Sequence, residues 1–166
     1  MRAVNVGGAR LPMAELRGLA TELGASKVST HLASGNLLCT PPGDPAAFDR
    51  ALERAIEQRY GFFREVISRS GDELRAALDA HPFDVVEPNW SHVYFLLDAP
   101  SAEAAAAFEA ADWGADEVAV RGRDLHIRYG DGVAGSRLTP ARIARGLGHA
   151  GTGRNVTTVA ALLERL

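Results

Sequence analysis

A chain of 166 residues with 46% hydrophobic and 23% charged side chains can bury a real core and has the composition of an ordinary globular protein. Its net charge of −3 argues against a chain that is basic overall and built for nucleic acid or an anionic membrane surface. The single cysteine, Cys39, excludes an internal disulfide and a cysteine-rich metal site.

No charged n-region with an apolar h-region opens the chain, and no apolar run approaches the ~18 residues of a membrane span, so a cytoplasmic protein is the expectation. The charge is unevenly spread. Between Arg121 and Arg154 seven arginines stand against Asp124 and Asp131, which puts +5 in that segment and leaves −8 for the rest. Arginine outnumbers lysine seventeen to one. This is read first as the coding bias of a GC-rich genome and second as a basic patch for phosphate or carboxylate.

In chain order, a short strand with Ala3, Val4 and Val6 runs into Gly7-Gly8, and a helix with Pro12 in its first turn follows. Two glycines allow a sharp turn and close approach of a partner. Pro12 suits a first turn because the N–H it lacks has no intrahelical acceptor. Unpaired N–H groups and the positive helix end then face the loop, a geometry that can hold an anion. The helix carries Met13, Leu16, Leu19, Ala20 and Leu23 on one face and ends at Gly24.

Residues 27–39 read as two strands around a two-residue turn, Ser34-Gly35, which pairs Thr30 with Cys39 and Leu32 with Leu37. Val28, Thr30, Leu32, Leu37 and Cys39 are then expected on the core face. Asp44-Pro45 opens a helix with Phe48, Leu52 and Ile56 inside, and 62–68 reads as a fourth strand. Ser70 with Glu73 fits a capping box for a helix ending at His81-Pro82, and 84–89 is the best linker candidate.

The order of elements then repeats. A strand over 91–97 is followed by an alanine-rich helix capped by Ser101. A hairpin over 117–129 turns at Gly122-Arg123, pairing Val118 and Val120 with Ile127 and Leu125 and setting Glu117 opposite Arg128. His126 falls on the outer, solvated face of that hairpin. Thr139-Pro140 caps a helix to about Leu147, and an extended piece over 151–155 leads into a last helix with Val156, Val159, Leu162 and Leu163. The expected fold class is therefore α+β: two tandem ferredoxin-like (split βαβ) halves, 1–84 and 89–166, packed as one unit. Each half places helices on one sheet face and leaves the other for its twin or a partner.

Several short motifs carry a resemblance along the whole chain. They are Arg2-Ala3-Val4-Asn5-Val6-Gly7-Gly8, Pro12-Met13 with Leu16, Ser34-Gly35-Asn36, Tyr129 to Gly132, Ser136-Arg137-Leu138-Thr139, and Thr152-Gly153-Arg154-Asn155-Val156-Thr157-Thr158-Val159. In this order they resemble the DUF1697 family of small bacterial proteins. Family members carry tryptophan where this chain has Val156, a second asparagine where it has Thr157, and often a hairpin tyrosine where it has His31. The chain thus has less aromatic stacking surface at those places than the resemblance implies.

Three candidate sites emerge. Asn5, Gly7 and Gly8, with Arg10, form the first; the competing reading is a tight strand-to-helix turn. If strands one and three are parallel neighbours, Arg2 rather than Asn5 lies toward the hairpin turn, giving a separate polar cluster of Arg2, Ser34 and Asn36. There, an arginine bonded to turn carbonyls is the favoured reading. The third site is Arg154 with Asn155 and Thr157, or Thr158, opening the last helix. A cation at a helix N-terminus opposes the dipole, which hints at an anionic partner.

Catalytic signals are thin. Gly130 to Gly135 matches G-x-G-x-x-G, but it follows a hairpin strand and no helix opens until Pro140, so a dinucleotide fingerprint is rejected. There is no G-x-S-x-G, H-E-x-x-H or Walker A motif, and His31, His81, His92, His126 and His149 lack metal-ligand spacing. No cofactor and no metal are expected. The leading expectation is a binding protein for a small anionic ligand. A self-associating module using a free sheet face or the Trp90/Trp113 region comes second, and nucleic-acid binding through 121–154 trails, since the first-half strands lack stacking aromatics.

Overall fold

Helix starts are written locally in this chain, and the structure uses them. Asp44 Oδ2 accepts from Ala47 N at 2.9 Å, and Ser101 Oγ from Ala104 N at 3.1 Å. Ser70 and Glu73 exchange both bonds of a capping box, at 3.2 and 2.7 Å. The computed structural model describes Met1 and residues 10–166. The expected first strand, with Arg2, Asn5, Gly7 and Gly8, lies outside the described residues. Two units are present, Met1–Ser68 and Arg69–Leu166. Together they hold two small sheets and six α-helices among the described residues, a mixed α+β fold.

The first unit contains α1 (Met13–Glu22), β1 (Ser26–His31), β2 (Asn36–Thr40) and α2 (Pro45–Tyr60). Its core gathers Leu11, Leu16, Leu19 and Ala20 with Phe48, Leu52 and Ile56, the helix faces expected from their spacing. Pro12 sits one place earlier than expected, at the cap, where its carbonyl accepts from Leu16 N at 3.1 Å. The hairpin departs from the two-residue turn: β1 and β2 pair Thr30 with Leu37 and His31 with Asn36, so residues 32–35 form the connection. Asn36 Nδ2 fastens this wider loop by donating to His31 O at 3.0 Å and Ser34 Oγ at 3.1 Å. The slip is by two positions, so the faces keep their parity and Val28, Leu37 and Cys39 still pack on the core. Leu32 leaves the core face and is 58% exposed.

The expected fourth strand is corrected. Among the described residues, 62–70 form no strand, and two carboxylates of α2 take the place of a strand neighbour. Glu53 Oε1 accepts from Val66 N at 2.8 Å, and Asp49 Oδ2 accepts from Ser68 N at 3.2 Å and Ser68 Oγ at 2.7 Å. Arg50 completes the arrangement, donating to Val66 O at 2.8 Å and pairing with Glu53 at 2.7 Å. One helical turn of four residues rises ~6 Å and two extended residues span ~6.6 Å, so positions 49 and 53 match positions 68 and 66. Burial pushes both carboxyl pKa values up, against the hydrogen bonds that lower them.

The second unit contains α3 (Gly71–Asp79), β3 (Ser91–Leu96), α4 (Ala102–Glu109), β4 (Glu117–Arg121), β5 (Asp124–Arg128), α5 (Pro140–Leu147), β6 (Gly151–Asn155) and α6 (Val156–Leu163), with one 3₁₀ turn at Val133–Gly135. The sheet order is β4-β5-β3-β6, antiparallel throughout. The β4–β5 register is the expected one, with Glu117 opposite Arg128 and bonded to it. β3 and β5, the first and third strands of this half, run antiparallel. The parallel pairing used to separate Arg2 from Asn5 therefore does not hold in this unit. Here the end of the first strand meets the hairpin turn, where Leu96 N donates to Arg123 O at 2.9 Å.

Tyr94, Leu96, Leu125 and Ile127 share one sheet face with Phe108 of α4 and Ile143 and Leu147 of α5. The other face is covered too: α6 packs on β3 and β6, and α3 packs on α6. The open face expected for this half is thus filled by the two helices that flank the βαββαβ run. The expected solvation of His126 is overturned with it, since that residue points to the α3/α6 side and is 0% exposed.

At the β3–β6 contact, a Cβ on Gly151 would lie 2.3 Å from the Tyr94 ring and 2.7 Å from Phe95 O. Gly151→Ala is expected to lower unfolding free energy by about 1–3 kcal/mol through overpacking, read by urea denaturation against wild type.

Candidate functional site

The sequence-predicted residues that fall among the described ones do not behave alike. Arg154 lies in β6, opposite Val93, one residue ahead of the cap rather than inside α6. Its Nη1 donates to Thr152 Oγ1 at 2.8 Å and to Gly153 O at 2.7 Å. Burial lowers its guanidinium pKa from the ordinary value. Asn155 is the cap of α6: its Oδ1 accepts from Thr158 N at 2.8 Å, and its Nδ2 donates to Asn89 Oδ1 at 3.0 Å. Those bonds give Asn155 a structural duty. Thr157, in the first turn of α6, is exposed. The junction therefore presents a desolvated cation and a hydroxyl-bearing helix start.

In the first unit, Ser34 and Asn36 are together at the hairpin turn, bonded to each other, with Asn36 only 7% exposed. Arg2, Asn5, Gly7 and Gly8 are outside the described residues, and Arg10 is exposed.

The basic stretch is less basic than its sequence. Arg121 pairs with Glu109, Arg123 with Glu73, Arg128 with Glu117 and Arg137 with Asp112. Each of these guanidinium groups meets a carboxylate supplied from outside 121–154, which takes charge away from a continuous phosphate-binding patch. The G-x-G-x-x-G loop is likewise tied inward: Asp116 accepts from Gly130 N at 3.0 Å and from Ser136 Oγ at 2.5 Å.

Two polar clusters escaped the sequence reading. Arg69, just before the α3 cap, has a side chain 4% exposed; it donates to Asp124 Oδ1 at 3.1 Å, Leu96 O at 2.9 Å and Arg123 O at 3.0 Å, and lies over the Phe95 ring. Burial lowers the Arg69 pKa and raises that of Asp124, so desolvation outweighs the attraction on both partners. The second cluster is histidine. His81 and His126 meet through their Nδ1 atoms at 3.2 Å, while His92, on the opposite sheet face, stands edge-on to Tyr129. Burial brings the pKa of His92 and His126 down to about 4 and pushes Tyr129 up to about 12. Sequence spacing offered no signal for either cluster, because the partners are distant in the chain. Among the described residues no group of three or more acidic, histidine or cysteine side chains is placed to hold a metal, and no helix is long and apolar enough to cross a membrane.

Fold and site together define a small two-unit α+β protein with polar side chains buried within its second unit. Its fold is similar to that of the conserved bacterial protein SP0830 from Streptococcus pneumoniae, with a TM-score of 0.76 and 21% identity over 99% of this chain and 94% of that one. No curated protein matches the chain. Residues 1–126 match the family described as protein of unknown function (DUF1697), and the chain belongs to that family.

Two expectations follow. Arg69→Met is expected to cost about 3–5 kcal/mol by leaving Asp124 buried without its partner, while Arg69→Met with Asp124→Leu recovers most of the loss, measured by denaturant unfolding. For the histidines, folded-state pKa values near 4 lie below the ordinary 6.5, so the unfolded chain binds protons more tightly. Their contribution to stability is complete above pH 6.5 and is lost as pH falls toward 4, at up to about 1.4 kcal/mol per pH unit per histidine. His92→Phe should reduce the wild-type loss between pH 6.5 and 5 by one histidine's share, in urea unfolding at each pH.

Proposed function

We propose that this chain is a cytoplasmic binding protein for a small anionic ligand, with Arg154 as the cation that meets it. The observation carrying this reading is the position of the desolvated Arg154 guanidinium, one residue ahead of the cap of α6 and bonded to Thr152 and Gly153. An anion beside a desolvated guanidinium forms charge-assisted, bidentate bonds of the strong kind. Thr157, exposed in the first turn of α6, is the companion donor, and Asn155 sets the start of that turn. We propose Asn5, Gly7 and Gly8 as ligand-binding residues as well, and Arg2, Ser34 and Asn36 as a separate polar cluster. The proposal includes two tandem ferredoxin-like halves, 1–84 and 89–166; the β4-β5-β3-β6 order supports it for the second.

Calorimetric titration with inorganic phosphate, citrate and ATP tests the reading in wild type and Arg154→Gln. The expected result is binding of at least one of these anions, weakened tenfold or more by the substitution, which is about 1.4 kcal/mol. Equal affinity in the two proteins, or no binding by wild type, overturns it.

A second reading is self-association. Val85, Val86, Trp90 and Val133 are 46%, 75%, 40% and 50% exposed, and the Trp90 indole lies against Gly132. Trp113 is no part of this surface, because its Nε1 donates to Phe108 O at 2.8 Å and its ring packs on Phe108. Sedimentation velocity of wild type and Trp90→Ser distinguishes a concentration-dependent dimer through this region from a monomer.

A further inference from the structure

His81 follows α3, His126 lies mid-strand in β5, and their Nδ1 atoms are 3.2 Å apart. His126 is 0% exposed, and among the described residues both Nε2 atoms are buried without a hydrogen-bond partner. Two ring nitrogens at this distance attract only if one donates Nδ1–H and the other accepts, so the rings must be opposite tautomers. Phe83 packs edge-on against His81, with ring centroids 5.6 Å apart. One added proton goes to the donor ring's Nε2 and leaves the bond intact. A second has to go onto the accepting Nδ1, where it meets an N–H and places two imidazolium charges in contact inside the fold.

The same spacing suits two ligands of one metal ion. Metal-bound histidines, however, usually hand their second ring N–H to an outer acceptor. Both Nε2 atoms here lack one among the described residues.

We infer that this contact is a proton-operated latch, which fastens residues 81–88 to the sheet while the pair holds at most one added proton and releases them when both rings are charged, with Asn89 and Trp90 held by their own bonds to Asn155 and Tyr129. The surrounding groups leave the pair as the element that responds. Arg121 on β4 disfavours charge on His126. Asp124 and Arg128, at the flanking same-face positions of β5, are paired with Arg69 and Glu117. Val93 and Ala119 lie across the register from His126, and α6 (VTTVAALL) carries no charged side chain. On α3, Glu73 is held by Arg123, and Asp79 closes the helix two residues before His81. Asp84 and Glu87, on the segment itself, are exposed, and His92 lies on the far face of the sheet. The released segment carries Val85 and Val86, so the latch governs how part of the exposed apolar surface is presented.

Hydrogen exchange of the full chain, followed by mass spectrometry on peptides from 81–88 and corrected for intrinsic rates, tests this between pH 6.5 and 4.5. Release that takes up two protons raises the opening constant by up to about 100-fold per pH unit, and release that takes up one raises it by about tenfold. Wild type is expected to approach the first slope and His81→Phe the second. His81→Gln, which keeps a polar contact without titrating, gives the same reduced slope if the phenylalanine variant is poorly folded. Imidazole ¹⁵N shifts at pH 7 should show His81 and His126 as opposite tautomers. The inference is overturned by equal slopes in wild type and variants, or by 81–88 opening only together with the β3 and β5 amides. Identical tautomers, or a metal ion retained by wild type and lost in His81→Phe, overturn it equally.

Discussion

The constraint behind most of the second unit's chemistry is that its sheet is buried on both faces. Helices α4 and α5 cover one side with an ordinary apolar core, while α6 and α3 close the other. Antiparallel sheets often keep one face wet, and a strand alternating apolar and polar residues is normally read that way. Here several polar positions of β5 and β6 lose much of their solvation. Asp124, His126 and Arg154 must then find internal partners or adopt neutral forms. Asp124 finds Arg69, His126 finds His81, and Arg154 finds Thr152 and a backbone carbonyl. Their shifted pKa values share one first cause, desolvation.

The first unit meets a related demand differently. Its 62–68 segment runs past α2, and the backbone N–H groups of Val66 and Ser68 are satisfied by side chains of the helix. Asp49 and Glu53 stand on the helix face next to Leu52 and Ile56, at 6% and 3% exposure, a position that carboxylates occupy only when paired. A helix can stand in for a strand because its one-turn spacing nearly equals two extended residues.

For function, burial redirects attention. The conspicuous arginines of 121–145 include four that meet carboxylates, and Arg154, in β6, loses solvation and bonds to Thr152 and Gly153. An anion-binding reading therefore rests on one desolvated side chain rather than on a charged surface. Membership of the DUF1697 family and the fold shared with SP0830 give the chain a family and an architecture without assigning it a reaction.

What the sequence determined alone was much of what depends on neighbours within a few residues, the 32–35 turn, which Asn36 fastens by side-chain bonds, being an exception. The caps at Asp44, Ser70, Ser101 and Thr139, the inner faces of α1 and α2, and the Glu117–Arg128 register all follow from short spacings, which fix hydrogen-bond reach and side-chain direction. The family, too, was legible from motifs in order. The tertiary structure decided which faces are covered. The same alternation that marks β5 as half-buried fits either water or a second helix layer over His126, and only the docking of α3 and α6 chooses between them. It also decided that 62–68 would bond to Asp49 and Glu53, and that Arg69 would reach Asp124 far along the chain. Those outcomes turn on contacts between distant residues, whose geometry no local pattern encodes.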